Sequence, residues 1–512
     1  MRLRREDSNR HSHRPWADCS VRKRPASTSV IFLWLACFSF ALLFASGFNA
    51  FETPNIDVAR TLATTGRISV DAQPASGLYT RAANGRFYSM HEPIVDIAAA
   101  PAAAGALALA RVTPVPFRQG FDLLMTLTAA AAFATTIVLL GIVAAKLGVS
   151  ARAATGRLLL LALGSQYLIY AGRLPDVSLA ALVFAACLFA WMNAEEGARW
   201  GWLWTGLAAG FLAAVKINMA TVCLMLFGLA ATSAGTTKMT TTRIGRIIQF
   251  LIGAAPGFAI VLGWNYVRTS GWLHAPYPAE NTAIMWSQLP LGLIGSLISP
   301  AKGVLVFTPI LLLLPFAIAR MSADRRHSRL LILVAGSLSL AMIVIAATPA
   351  WSSGGGWGVR FYVPWLPPLL MLLVAEPRVW SRPWRIAGAA ALGAGALMNI
   401  AGLVTNFHYR QQLCGESPWA WHGANFCAVA ALPSNLARAF GANIPDVVAP
   451  GASAVNIWLS NRLALWWFAI RSVGIPPLVS WLVAGVLVCA GLACWRWSAP
   501  ARDSSLETNA NR

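Results

Sequence analysis

Charge is scarce in this chain. Only 12% of its 512 residues are charged, against about 25% in soluble domains. Acidic residues are scarcer still: 19 Asp and Glu stand against 40 Lys and Arg. No stretch is both long and polar enough to fold as a large soluble domain. Eight cysteines are present and none forms a CxxC pair, which excludes a thioredoxin-type redox centre and a zinc ribbon. There is no P-loop, no HExxH helix, no dinucleotide fingerprint and no internal repeat, so a nucleotide cradle, a zincin helix and a solenoid are excluded as well. What fills the chain is apolar: 57% of it is hydrophobic. Runs of roughly 18 residues or more recur from end to end, each able to cross about 30 Å of hydrocarbon as a helix. The chain reads as all-α, a polytopic transmembrane helical bundle of about 12 spans. Its formal charge of +21 does not indicate nucleic acid, because Lys and Arg gather in the linkers that one choice of orientation places in the cytoplasm. Membrane lipids are the expected surroundings.

The order along the chain follows from these runs. Residues 1–29 form a basic tail with Arg2, Arg4, Arg5, Arg10, Arg14, Arg22, Lys23 and Arg24, and span one is 30–48, a retained anchor rather than a cleaved signal. Residues 50–121 form a long external loop. Within it, the alanine-rich stretch Ile94–Ala110 carries Asp96 and Pro101 and is expected to lie at the interface or to re-enter, not to cross. Further spans fall at about 123–145, 157–171, 177–194, 202–215, 217–234, 247–264, 303–319, 330–348, 361–375, 386–404 and 476–495. Lys216 divides 202–215 from 217–234, since one continuous helix would bury its ammonium in mid-membrane. The basic linkers are Lys146/Arg152/Arg157, Lys238/Arg243/Arg246, Arg320/Arg325/Arg326/Arg329 and Arg378/Arg382/Arg385. They set both termini in the cytoplasm of a multi-pass cell-membrane protein. The core is then 30–404, a second external loop is 405–475, and 476–512 holds the last span and a tail. Only Cys414 and Cys427 fall on the oxidising side, so a disulfide is expected between them; the other six read as small buried hydrophobes.

The charged residues outside these spans gather in the external loops. The first loop has Glu52, Asp57, Arg60, His91 and Glu92, the second Arg173 and Asp176, and Lys216 follows. A later loop opens Trp264-Asn265-Tyr266-Val267-Arg268 and runs through Pro276-Tyr277 to Ser299-Pro300-Ala301-Lys302-Gly303. The fifth ends Gly358-Val359-Arg360. Acid and base on one face suit a phosphorylated lipid: the tail stays in the bilayer, the phosphate meets Arg or Lys, and its sugar meets a carboxylate.

In this order and on this side, the residues resemble the GT-C superfamily of integral-membrane glycosyltransferases, which includes protein O-mannosyltransferases and the aminoarabinose transferases acting on lipid A. In that pattern a first span precedes a long external loop bearing an acidic residue, matched by Asp57 in Asn55-Ile56-Asp57-Val58-Ala59-Arg60. A second acidic residue in the next short loop is matched by Asp176. The adjacent Asp-Glu pair of the family is absent, and Glu52 stands five residues before Asp57, so the base is one or the other.

The resemblance implies a polyprenyl-phosphate-linked sugar donor, an acceptor that is a glycan, lipid or protein, and a single displacement that inverts the anomeric carbon. It implies Asp57 as base, with Glu52 and Asp176 as further catalytic carboxylates. Arg60, Lys216, Arg268 and Arg360 would contact the donor phosphate, and His91, Glu92, Asn265 and Tyr277 the sugar or acceptor. No cofactor is required by the pattern, though a divalent metal between Asp57 and Asp176 is compatible with it. Plainer roles stand beside these: Asp57 and Asp176 as helix caps, Lys216 snorkelling, Arg360 as an interfacial anchor. The alternative for the whole chain is a secondary transporter or a flippase-type membrane protein without glycosyl transfer, which calls for ionisable groups near the bilayer midplane.

Overall fold

The computed structural model describes residues 27–45, 53–71, 79–171, 175–232, 242–274, 276, 283–322, 325–352, 358–376, 382–405, 419, 424–448, 461–469, 471 and 475–498. Helix dominates throughout, because an apolar chain in lipid must satisfy its backbone internally. Among the described residues seven helices are long and apolar enough to cross a membrane.

The first part of the chain folds as α1 (Ser27–Phe44), α2 (Thr53–Thr65), the hairpin β1 (Tyr79–Arg81) and β2 (Phe87–Ser89), α3 (Pro93–Val112) and α4 (Phe117–Lys146). Next come α5 (Ala151–Leu163), α6 (Tyr167–Ala171), α7 (Pro175–Glu195), α8 (Gly201–Val215), α9 (Ala220–Thr232) and α10 (Arg243–Thr269). Beyond these lie α11 (Leu289–Ile298), α12 (Val304–Phe307), α13 (Leu314–Met321), α14 (Arg325–Leu331), α15 (Ser337–Ala346), α16 (Leu366–Ala375), α17 (Arg382–Val404), α18 (Ala424–Ala439), α19 (Trp466–Ala469) and α20 (Pro477–Trp497). Each expected span lies on a helix or a broken helix. The breaks are local: a 3-10 stretch Pro309–Leu313 precedes α13, a π-turn Ile332–Gly336 joins α14 to α15, and a 3-10 stretch Arg360–Trp365 leads into α16. The ten-residue α11 was not expected, being too short to register as a span.

Helix α7 gives the bundle its axis. Its 21 residues rise about 30 Å, with Asp176 at its head and Glu195 at its foot. At the foot, Glu195 accepts from Arg329 of α14 at 2.5 Å, and Glu196 pairs with Lys146 of α4 at 2.5 Å. At the head, Asp176 pairs with Lys216. The two ends of the bundle are thereby labelled by ion pairs. Lys216 has φ −156° and ψ 108°, so the helix breaks there and α8 and α9 are separate, as the charge requires.

That labelling settles the course of α3. Its N-cap Glu92 contacts Ile217 at the head end. Helix α4 ends at the foot with Lys146 and starts at Phe117, 30 residues away, or about 45 Å. Phe117 is therefore at the head, and α3, which ends just before it, begins and ends at the same end of the bundle. Although α3 is continuous through Pro101 and long enough to cross, it lies over the head with α2. Ile56, Ala59, Ala99, Ala103, Ala106, Phe121 and Met125 form a small core there, separate from that of the bundle.

Helices α8 and α10 approach through glycines four residues apart. A Cβ at Gly206 or Gly210 would meet the carbonyl oxygen of Phe250 or Ala254, and one at Gly257 would meet the backbone of Gly210. Small residues at this spacing let backbones touch in lipid. Gly210→Leu is expected to lower the thermal unfolding temperature in detergent, overpacking costing about 1–3 kcal/mol. Gly228→Leu on α9, where nothing lies within 4 Å, should leave it unchanged.

Cys37, Cys187 and Cys223 are free and buried, as expected of small hydrophobes; Cys489 is free and exposed, and Cys494 is free and intermediate. Cys427 is disulfide-bonded. Cys414, like Cys19, lies outside the described residues.

Candidate functional site

Two polar clusters sit at the head of the bundle. The first forms around Asp57, half-buried on the second turn of α2. The Tyr79 hydroxyl of β1 donates to Asp57 Oδ2 at 3.3 Å. The Asn84-Gly85 turn closes the β1–β2 hairpin and delivers Tyr79 there, Gly85 taking the φ of +80° that such turns favour. Burial, then the charge of Asp57 and its hydrogen bond, then the charge of Asp96, push the Tyr79 hydroxyl well above the usual phenol range. It therefore stays a proton donor to Asp57 at any ordinary pH. Asp96 is fully buried one turn into α3, so α2, β1 and α3 meet at this point. The Arg60 guanidinium lies over the Phe117 ring at 5.1 Å.

The second cluster forms around Asp176. Lys216 Nζ lies 2.6 Å from Asp176 Oδ2, with the two side chains only 12% and 20% exposed. Arg360 and His91 are close enough to act electrostatically on the same carboxylate. Gly358, at φ +57°, makes the turn that brings Arg360 in; a Cβ there would strike the Gln166 amide at 2.7 Å. Asn218, two residues after Lys216, donates to the carbonyl of Phe361 at 3.2 Å, tying the Lys216 break to the Arg360 segment. The Ile217 N–H donates to Glu92 Oε1 at 3.4 Å. Three buried atoms beside the ion pair have no hydrogen-bond partner among the described residues: Asp176 Oδ1, His91 Nε2 and Asn218 Oδ1. Buried polar atoms are rarely left so, and each loses about 1–3 kcal/mol of hydration unless something bonds it.

The segment carrying His91 is held from α10. Arg268 Nη1 donates to the carbonyls of Ser89, Met90 and His91 at 3.1, 2.8 and 3.1 Å, and Nη2 donates to Asn265 Oδ1 at 2.7 Å. The Trp264 indole donates to the His91 carbonyl at 3.0 Å, and the guanidinium lies over that indole. Arg268 is 5% exposed. Its described bonds go to three backbone carbonyls and to the Asn265 side chain. Arg268→Gln is expected to speed amide exchange across residues 89–92 about tenfold or more, since a hydrogen bond to a charged group contributes about 1.5–3 kcal/mol. Exchange in α7 should stay as it was.

In Ser299-Pro300-Ala301-Lys302-Gly303 the turn is tight: a Cβ on Gly303 would lie 2.6 Å from the Ser299 nitrogen, and Lys302 is 3% exposed. Glu52, Tyr277 and Cys414 lie outside the described residues. Tyr79 and Asn218 were not foreseen, although the Asn-Gly turn and the Lys216 break are sequence signals that point near them. Asp57 and Asp176 hold different partners, and among the described residues no three His, Cys, Asp or Glu gather as a metal site would need. The Lys216 ammonium occupies one oxygen of the Asp176 carboxylate.

No family model matches the chain, and no curated protein matches it. Among solved structures it is similar to the crystal structure of ArnT from Cupriavidus metallidurans bound to undecaprenyl phosphate. The match has 14% identity and a TM-score of 0.47, over 92% of this chain and 75% of that one. It is also similar to the Archaeoglobus fulgidus oligosaccharyltransferase in complex with Zn and sulfate. Here identity is 13% and the TM-score 0.38, over 78% of this chain, which spans about half, 52%, of that one.

Proposed function

We propose that this protein is a membrane glycosyltransferase. It moves a sugar from a polyprenyl-phosphate donor to a hydroxyl or amine of a glycan, lipid or protein, with inversion, at the head of the bundle. The head faces the outside of the cell membrane, with both termini in the cytoplasm and the 405–475 loop on the outer side, closed by a Cys414–Cys427 disulfide.

The observation that carries the reading is the trio of buried, unbonded polar atoms around the Lys216–Asp176 pair. A sugar phosphate answers all of it. Its hydroxyls donate to Asp176 Oδ1 and Asn218 Oδ1 and meet His91 Nε2, while its phosphate takes Lys216 and Arg360. The acceptor oxygen or nitrogen attacks the anomeric carbon from the side opposite the phosphate. The bond from that carbon to the phosphate oxygen breaks with its electron pair, leaving polyprenyl phosphate. The acceptor's proton passes to Asp57, which Tyr79 orients. Negative charge grows on the leaving phosphate, and fixed cations favour that state. No step runs through a metal.

A transporter calls for ionisable groups at the midplane. The ion pairs of α7 stand instead at its two ends. Mass spectrometry of envelope glycolipids and glycoproteins from a deletion strain tests the proposal. One glycan should lack one sugar, and the wild-type gene but not the Asp57→Asn gene should restore it. An unchanged glycan profile, with a soluble solute exchanging in a counterflow assay, overturns it.

A further inference from the structure

The segment after α18 has an unusual construction. The Arg438 side chain is 5% exposed. Its Nε donates to the Ile444 carbonyl at 3.1 Å, Nη2 to that of Pro445 at 2.5 Å and Nη1 to Asn435 Oδ1 at 3.1 Å. Asn461 closes the far end, its Nδ2 donating to the Val447 carbonyl at 2.8 Å and its Oδ1 accepting from the Val447 N–H at 2.9 Å. Asp446 is paired with Arg462 at 2.9 Å. Backbone polar groups are thus drawn inward, and charge is matched.

The apolar side chains go the other way. Phe440 is 76% exposed and Val448 60%. A segment fixed in shape by a buried arginine, with Phe440, Ile444, Val447 and Val448 exposed beside the polar Asn443 and Asp446, is built to meet the boundary between an apolar medium and its headgroups.

The neighbouring helix says which medium. Only 6% of the apolar window of α20 is buried within the chain, and Leu478, Leu482 and Val486, on one face, are 70%, 58% and 65% exposed. That is a lipid-facing span. Phe440 stacks on Trp481 at the head of α20, with ring centroids 5.9 Å apart, and the Arg471 guanidinium lies over the same indole at 5.4 Å. Tryptophan and arginine at a span end mark the headgroup level. Phe440 joins the exposed patch at 440–448 to the head of α20 through this ring contact. It lies at the bundle's head, because Trp466 and Trp467 beside it donate to the carbonyls of Leu42 and Leu43 at the end of α1, whose start meets Trp497.

We infer that residues 440–448 form a wedge seated in the lipid leaflet at the head of the bundle, with Phe440 and Val448 among acyl chains. This stands apart from the reaction proposed above.

The test places p-benzoylphenylalanine at 440, at 448, or at 482 on the lipid face of α20, in the full-length protein in nanodiscs of phosphatidylethanolamine and phosphatidylglycerol. After irradiation, mass spectrometry should find phospholipid adducts at 440 and 448 as at 482. The inference is overturned by adducts at 482 but none at 440 and 448. It is overturned equally if the label at 440 links to a second copy of this chain.

Discussion

Asp57→Asn is expected to lower sugar transfer by about 10²–10⁴-fold, the usual contribution of a positioned base, while the protein inserts and folds as before. Asparagine keeps the size and still accepts the Tyr79 hydrogen bond, so α2 and the β1–β2 hairpin should hold their places. What is lost is the capacity to take the acceptor's proton. The fall should appear in kcat rather than in KM for the donor, because Lys216 and Arg360, not Asp57, meet the phosphate in this account. Tyr79→Phe should cost less: the base remains, but loses the group that aims it. Steady-state rates on purified variants, with melting curves to confirm folding, check both.

Lys216→Met is expected to act on stability as well as on rate. The Lys216–Asp176 pair is largely buried at 2.6 Å. Removing one partner strands a carboxylate whose other oxygen is already unbonded among the described residues. Breaking a buried pair costs about 3–5 kcal/mol, whereas replacing both partners with apolar groups is often neutral; residual exposure sets the value toward the lower end here. The Lys216→Met/Asp176→Leu double variant should therefore regain most of the lost thermal stability and none of the transfer. Recovery of both would reduce the pair to a structural strut.

The distribution of what could be read from sequence follows from distance along the chain. Helices such as α4, α7 and α10 were legible because each is one uninterrupted apolar run. The break at Lys216 was legible because a charge cannot sit at mid-membrane. The α3 stretch was read from Asp96 and Pro101 as lying at the interface or re-entering; its continuity as one helix was not legible, because that depends on packing against α2 and α4. Arg268 was legible as a residue that matters, yet three of its described partners lie 177 to 179 positions away, and no local pattern says that a guanidinium will meet those carbonyls. Arg60, one helical turn from Asp57 in sequence, lies over the Phe117 ring, a neighbour that no local pattern names. Tyr79 reaches Asp57 across 22 residues and a hairpin, a juxtaposition that only the folded chain makes.

The most direct measurement is made on the purified protein in vesicles containing envelope lipid extract as acceptor and a polyprenyl-phosphate donor carrying a radiolabelled sugar. Label should leave the donor, free polyprenyl phosphate should appear in equal amount, and Asp57→Asn should slow both by about 10²–10⁴-fold. Release at the wild-type rate by the Asp57→Asn protein would contradict the proposed reaction.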